Sequence, residues 1–143
     1  MATFNMTRIS GANANVGAGD AGGVKAIAAS YTTLAALALN DVIQSPTLPV
    51  GSTVLDVLLT STDMDTNGTP LLSLDVGYGG DVDYFVSLSQ IGRTGGVVRA
   101  SAATAKPLVL TTEDTIDVLV SAAPATGVVG TVSLVVYYLP PSA

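Results

Sequence analysis

The feature that most constrains this chain is a period-2 alternation of apolar and polar residues, interrupted repeatedly by Gly, Pro, Asn and Asp. In residues 131–138, Val132, Leu134, Val136 and Tyr138 share one face of an extended strand, and Thr131, Ser133, Val135 and Tyr137 share the other. Residues 115–121 set Ile116, Val118 and Val120 against Thr115, Asp117, Leu119 and Ser121. Residues 71–76 set Leu72, Leu74 and Val76 against Leu71, Ser73 and Asp75. Side chains alternate across a strand, so each pattern predicts one buried and one outward face. The run 52–61 is apolar or β-branched on both faces except at Asp56, which predicts a strand near the centre of a packed sheet. Weaker strands are expected over 24–32, 41–44, 96–100 and 107–110, with turn signals at 48–51, 65–68, 78–81, 94–96 and 125–127. Many short strands with regular turns predict an all-β sandwich or barrel.

Two segments carry a different period. Residues 33–39 place Leu34, Leu37 and Ala38 at helical spacing, and residues 83–91 place Phe85, Leu88 and Ile91 three apart, leaving room for one helical turn in each. Residues 1–23 are rich in Gly, Ala and Asn and cannot bury enough apolar surface to offset their ordering entropy. They are expected as an extended or flexible N-terminal arm or an ordinary loose terminus, with 24–143 as a single β-sandwich domain.

The chain lacks Cys and His, which removes disulfides, thiolate metal sites and the Ser-His and Cys-His nucleophile pairs. Charged residues make up 11% of the chain, against about 25% in typical globular proteins. The basic residues Arg8, Lys25, Arg93, Arg99 and Lys106 are scattered, and the net charge is −6, so nucleic acid and anionic membrane are not expected partners. The first residues lack the basic and apolar regions of a secretory signal, and synthesis in the cytoplasm is expected. No nucleotide-binding glycine motif occurs, and the aromatic residues trace no ladder for stacking sugars or bases. An enzyme is not expected.

One stretch has the spacing of a ligand loop. Asp63-Met64-Asp65-Thr66-Asn67-Gly68 matches the first half of a Ca²⁺-binding loop, with oxygen ligands at alternate positions and a glycine for the sharp turn. The match fails at the twelfth position, where Leu74 stands in place of a bidentate Glu. A hairpin connection built on Asn67-Gly68 explains the same residues, so no cofactor is expected. If Ca²⁺ does bind, Asp63, Asp65 and Asn67 are the candidate ligands, with Asp75, Asp81 or Asp83 completing the shell. The pairs Asp63/Asp65 and Asp81/Asp83 otherwise read as solvated turn residues. Leu58, Leu119, Val135 and Tyr137 fall on nominally outward positions, which points either to cover from within the fold or to a subunit interface.

The segments 48–57, 63–65, 74–77, 81–85 and 130–138, taken in order, resemble the head decoration, or cement, proteins of tailed bacteriophages. That resemblance spans about residues 24–139 and implies a jelly-roll-like antiparallel β-sandwich, often trimeric. It also implies attachment to the outside of the capsid lattice, with the major capsid protein and further copies of the chain as partners. It brings no catalytic residues. The arm would then reach over an adjacent subunit, with Phe4, Arg8 and Ile9 as its candidate capsid contacts. A head- or tail-fibre module that binds a receptor or glycan is the alternative.

Overall fold

Eleven strands follow one another along the residues that the computed structural model describes, 1–8 and 23–141. They are β1 (Thr3–Asn5), β2 (Thr7–Arg8), β3 (Lys25–Thr32), β4 (Val42–Gln44), β5 (Thr53–Ser61) and β6 (Ser73–Tyr78). The remaining five are β7 (Asp81–Ser89), β8 (Gly96–Arg99), β9 (Leu108–Val109), β10 (Asp117–Ala122) and β11 (Thr131–Leu139). Two sheets result, with orders β1-β4-β10-β6-β7 and β2-β3-β11-β5-β8, and β9 adds to the end of β5. The expected all-β class is observed.

Apart from β1, β2 and β9, the strands pair as one long hairpin wound around itself: β3 with β11, β4 with β10, β5 with β8 and β6 with β7. All four pairings are antiparallel, and the winding is that of a jelly roll. In β10 and β11 the alternation read from the sequence is the alternation of burial, whereas in β6 Ser73 and Asp75, read as the outward face, are buried as well. Val132, Leu134 and Val136 of β11 and Val118 and Val120 of β10 are at most 1% exposed and face one another between the sheets. Each such side chain contributes about 1.5–3 kcal/mol of transfer free energy, so the interior of the sandwich is its main source of stability. In β5, Val54 and Val57 both point inward although they are three apart. The β11 register slips by one residue at this place, which makes Leu55 the extra residue of a bulge.

The helical turns allowed for 33–39 and 83–91 are corrected. Most of the second segment lies in strand β7, and the only helical turn among the described residues is a 3-10 turn at Ile91–Arg93. Spacing by three arises in β7 because the strand is irregular: Phe85 and Val86 are both buried, and Leu88 takes a left-handed backbone with φ 53°. That conformation is unfavourable for leucine. It is held by the buried carboxylate of Asp75, which accepts the Leu88 N–H at 2.6 Å and the Ser121 hydroxyl at 3.0 Å. In 33–39 the backbone finds partners outside the segment. Thr33 N–H donates to the Gly130 carbonyl at 2.8 Å, and Ala38 N–H donates to Asp41 Oδ2 at 2.8 Å.

Within the segment 1–23, β1 pairs parallel with β4 in one sheet and β2 pairs antiparallel with β3 in the other. Met6 crosses between them with 7% exposure and donates its N–H to the Gln44 carbonyl at 2.7 Å. Residues 9–22 of that segment lie outside the described residues.

Candidate interaction surface

A jelly roll gathers alternate connections at its two ends. At one end lie the β3–β4 connection (33–41), the β5–β6 connection (62–72), the β7–β8 connection (90–95) and the β10–β11 connection (123–130). At the other lie the β4–β5 connection (45–52), the tight β6–β7 turn and the long connection between β8 and β10 (100–116).

Polar side chains brace the first end from within. Asp65, 1% exposed, is the centre of it. Its Oδ2 accepts the N–H groups of Leu71 at 2.7 Å, Leu72 at 3.0 Å and Ala125 at 2.9 Å, and its Oδ1 accepts that of Thr126 at 2.8 Å. One carboxylate thus ties the 62–72 loop to the 123–130 loop. Burial acts to raise this acid's pKa. The N–H groups of Thr126, Ala125, Leu71 and Leu72 outweigh that effect and hold it well below the usual carboxylate range. Asp41, also buried, accepts the Ala2 N–H at 2.9 Å and the Ala38 N–H at 2.8 Å. Thr33 Oγ1 accepts the Gly130 N–H at 2.9 Å, and the Arg93 guanidinium donates to the Leu72 carbonyl at 2.8 Å and the Leu71 carbonyl at 3.2 Å.

The calcium-like stretch takes part in the same contacts. Asp63 Oδ1 accepts the Asp65 N–H at 3.1 Å, and Asn67 Oδ1 accepts the Thr69 N–H at 2.8 Å, both local turn bonds. Asn67 Nδ2 donates to Thr126 Oγ1 at 2.8 Å. Asp65, which the sequence placed in a solvated turn, is instead a buried acceptor facing N–H donors, the reverse of what a cation needs. Among the described residues, no three His, Cys, Asp or Glu side chains gather closely enough to hold a metal ion. Asp75 supports the β7 irregularity, Asp81 Oδ1 accepts the Asp83 N–H at 3.4 Å, and Asp83 Oδ2 accepts the Ser87 hydroxyl at 3.1 Å.

What the braced end presents outward is apolar. Leu34 is 91% exposed, Val129 58%, Leu71 54% and Leu39 51%, among exposed Ala35, Ala36 and Ala38. Of its charged residues, Asp41 and Asp65 are buried, which leaves Asp63 and the half-buried Arg93. The hydrophobic character of 33–39 was visible in the sequence, but the bracing carboxylates were not, because Asp65 reaches the 123–130 loop and Asp41 reaches Ala2, both distant along the chain.

The opposite end holds Asp81, Asp83, Glu113 and Asp114 with Lys106, and a groove of about 550 Å³ between the β6–β7 turn and residues 108–114. Asp114, at the groove, already accepts the Gly79 N–H at 3.0 Å and the Thr115 N–H at 2.8 Å. The two outer faces of the sandwich also differ. On the β10 side, Gln44, Thr115 and Asp117 form a hydrogen-bonded chain, with Gln44 Nε2 donating to Thr115 Oγ1 at 3.3 Å and Thr115 Oγ1 donating to Asp117 Oδ1 at 2.6 Å. Burial raises the Asp117 pKa, and the bond from Thr115 lowers it by less. On the β11 side, Ala28, Val135 and Leu58 lie in one cross-strand row that ends at Arg99, and Arg99 pairs with Asp56. Leu58, Leu119, Val135 and Tyr137 are each half-buried.

The candidate arm contacts are placed separately. Phe4 is half-buried with its ring stacked on Tyr31, centroids 4.9 Å apart. Arg8 ends β2, and Ile9 lies outside the described residues. Tyr84 packs edge-on against Tyr78 and Phe85, so these rings engage one another.

No protein-family model matches the chain, and no curated protein matches it either. Solved structures do. A chain of the cyanophage Pam1 capsid asymmetric unit is 30% identical, with 94% of each chain covered and a TM-score of 0.77. A chain of the capsid of Ralstonia phage GP4 is 29% identical over 83% of this chain and 86% of its own length, with a TM-score of 0.68. A chain of the acid-stable capsid of Helicobacter pylori bacteriophage KHP30 shares the fold at 21% identity and a TM-score of 0.58.

Proposed function

The chain belongs to the bacteriophage capsid proteins, a structural component of the virion, and from that premise we propose that it is a decoration, or cement, protein bound to the outside of the phage head. The observation that carries this reading is the likeness over 94% of both chains to a capsid component that is itself about one sandwich long. A subunit of that size adds to a shell by binding it.

Such a protein needs no reaction. If it binds the mature lattice and not its precursor or its disassembled state, it stabilises that lattice by mass action. Assembly as a symmetric oligomer, a trimer in this proposal, lets several weak contacts with the major capsid protein act together. The self-engaged aromatic rings offer no platform for a glycan, and the receptor-binding alternative draws no support from them.

The test uses heads assembled without this protein. Purified protein added back is expected to bind mature heads in a fixed ratio to the major capsid protein and to raise their disruption temperature. Heads equally heat-resistant with and without bound protein would overturn the cement role.

A further inference from the structure

We propose that copies of this chain associate with one another through the braced loop end, with Leu34, Leu39, Leu71 and Val129 at the contact. The inference rests on the oligomer named above and not on attachment to the head.

The argument begins with charge. At −6, two copies repel one another wherever their acids meet. The acids are unevenly distributed. Asp81, Asp83, Glu113 and Asp114 sit at or beside the end opposite the loops, where Lys106 offsets them only in part. At the loop end Asp41 and Asp65 are buried and hydrogen-bonded, which leaves exposed Asp63 and the half-buried Arg93, whose guanidinium donates to the Leu71 and Leu72 carbonyls. The loop end is therefore a part of the surface that a second copy can approach with Asp63 as its exposed acid, against four acids at or beside the opposite end. A basic partner would be drawn to the opposite end instead.

Shape and order point the same way. The exposed leucines and Val129 stand among Ala35, Ala36, Ala38 and Ala125, small side chains that allow backbones to approach closely. The loops touch one another directly: a Cβ added at Gly127 would lie 2.6 Å from Ala36 Cβ, and Val128 N–H donates to the Met64 carbonyl at 3.2 Å. The Asp65 and Asp41 braces hold these loops in place before any partner arrives, so little ordering entropy opposes association. Four large apolar side chains on one end whose charged side chains outside the fold are Asp63 and the half-buried Arg93 match the apolar centre of a homomeric interface, which is depleted in charge.

Sedimentation of the full-length protein reads this directly. The unaltered protein is expected to sediment as a closed oligomer at micromolar concentration, and added salt should leave the association intact or strengthen it by screening the net charge. Leu34→Asp and Val129→Asp each place like charges in apposition at the contact. Each is expected to weaken association at least about tenfold, equivalent to roughly 1.4 kcal/mol, with an unchanged circular dichroism spectrum. Val109→Asp, at the opposite end, should leave the oligomer as it was. A monomeric unaltered protein would remove the oligomer itself. An oligomer that survives both loop-end substitutions would leave the oligomer standing and overturn this surface.

Discussion

The two ends of the sandwich are made from the same material, short irregular connections between strands, yet they handle charge in opposite ways. At the loop end, carboxylates turn inward: Asp65 and Asp41 are buried against backbone N–H groups, and the outside is left to leucine, valine and alanine. At the opposite end, Asp81, Glu113 and Asp114 stay at the surface, and the long 100–116 connection is joined to the 45–52 loop chiefly by backbone pairs such as Leu48 with Asp114. A carboxylate used as an internal brace both orders loops and removes charge from the surface. One residue type therefore makes one end rigid and sticky while its neighbours keep the other end solvated.

The largest effect should come from removing the brace. Asp65→Ala leaves buried N–H groups on two loops without acceptors, each a costly defect. Its melting temperature is expected to fall well below that of Asp114→Ala, which strands only the Gly79 and Thr115 N–H groups at a partly solvated site. Equal melting temperatures would erase the distinction between the ends. The same contrast appears on acidification. Because folded Asp65 titrates well below its unfolded value of about 3.9, its contribution is fully present above that range and is lost as the pH falls toward the folded pKa. Asp117, raised chiefly by burial, acts with the opposite sign and gains stability on protonation. Unfolding measured between pH 5 and 2, ranges where carboxylates titrate, should therefore show a smaller acid loss in Asp65→Ala than in the unaltered protein.

A smaller effect separates two glycines within the braced end. A Cβ at Gly130 would stand 2.4 Å from Thr62 Oγ1 and 2.5 Å from Met64 Cγ, whereas a Cβ at Gly68 meets nothing within 4 Å. Gly130→Ala is expected to cost about 1–3 kcal/mol by overpacking, and Gly68→Ala about 0.5 kcal/mol or less, read by urea unfolding. The smallest expected effect is none. Millimolar Ca²⁺ or chelator should leave the melting temperature unmoved, since the oxygens of Asp63, Asp65 and Asn67 already accept backbone N–H groups. A rise with Ca²⁺ would mean that the loop rearranges to form a site.

Legibility in the sequence followed regularity of the backbone. Strands β10 and β11 were readable because their inward residues repeat every second position, and β5 because its run is apolar or β-branched on both faces. Strand β7 was not, since the Leu88 backbone breaks the period and its stabilising partner, Asp75, lies thirteen residues away along the chain. The loop 33–41 read as helix-forming because its local propensity is high, but its N–H groups bond to Gly130, Val120 and Asp41. In the Asp63–Gly68 stretch, spacing alone could not separate a ligand loop from a turn. The difference lies in what faces the Asp65 carboxylate, and two of those donors, the Ala125 and Thr126 N–H groups, come from a loop far along the chain.

The sequence by itself therefore determined the class of fold, because strand alternation and turn chemistry are local, and it removed most nucleophilic chemistry, because Cys and His do not occur in it. Only the tertiary structure decided where charge sits. A carboxylate's role depends on whether donors or solvent surround it, and that is settled by segments distant along the chain coming together at one end of the sandwich.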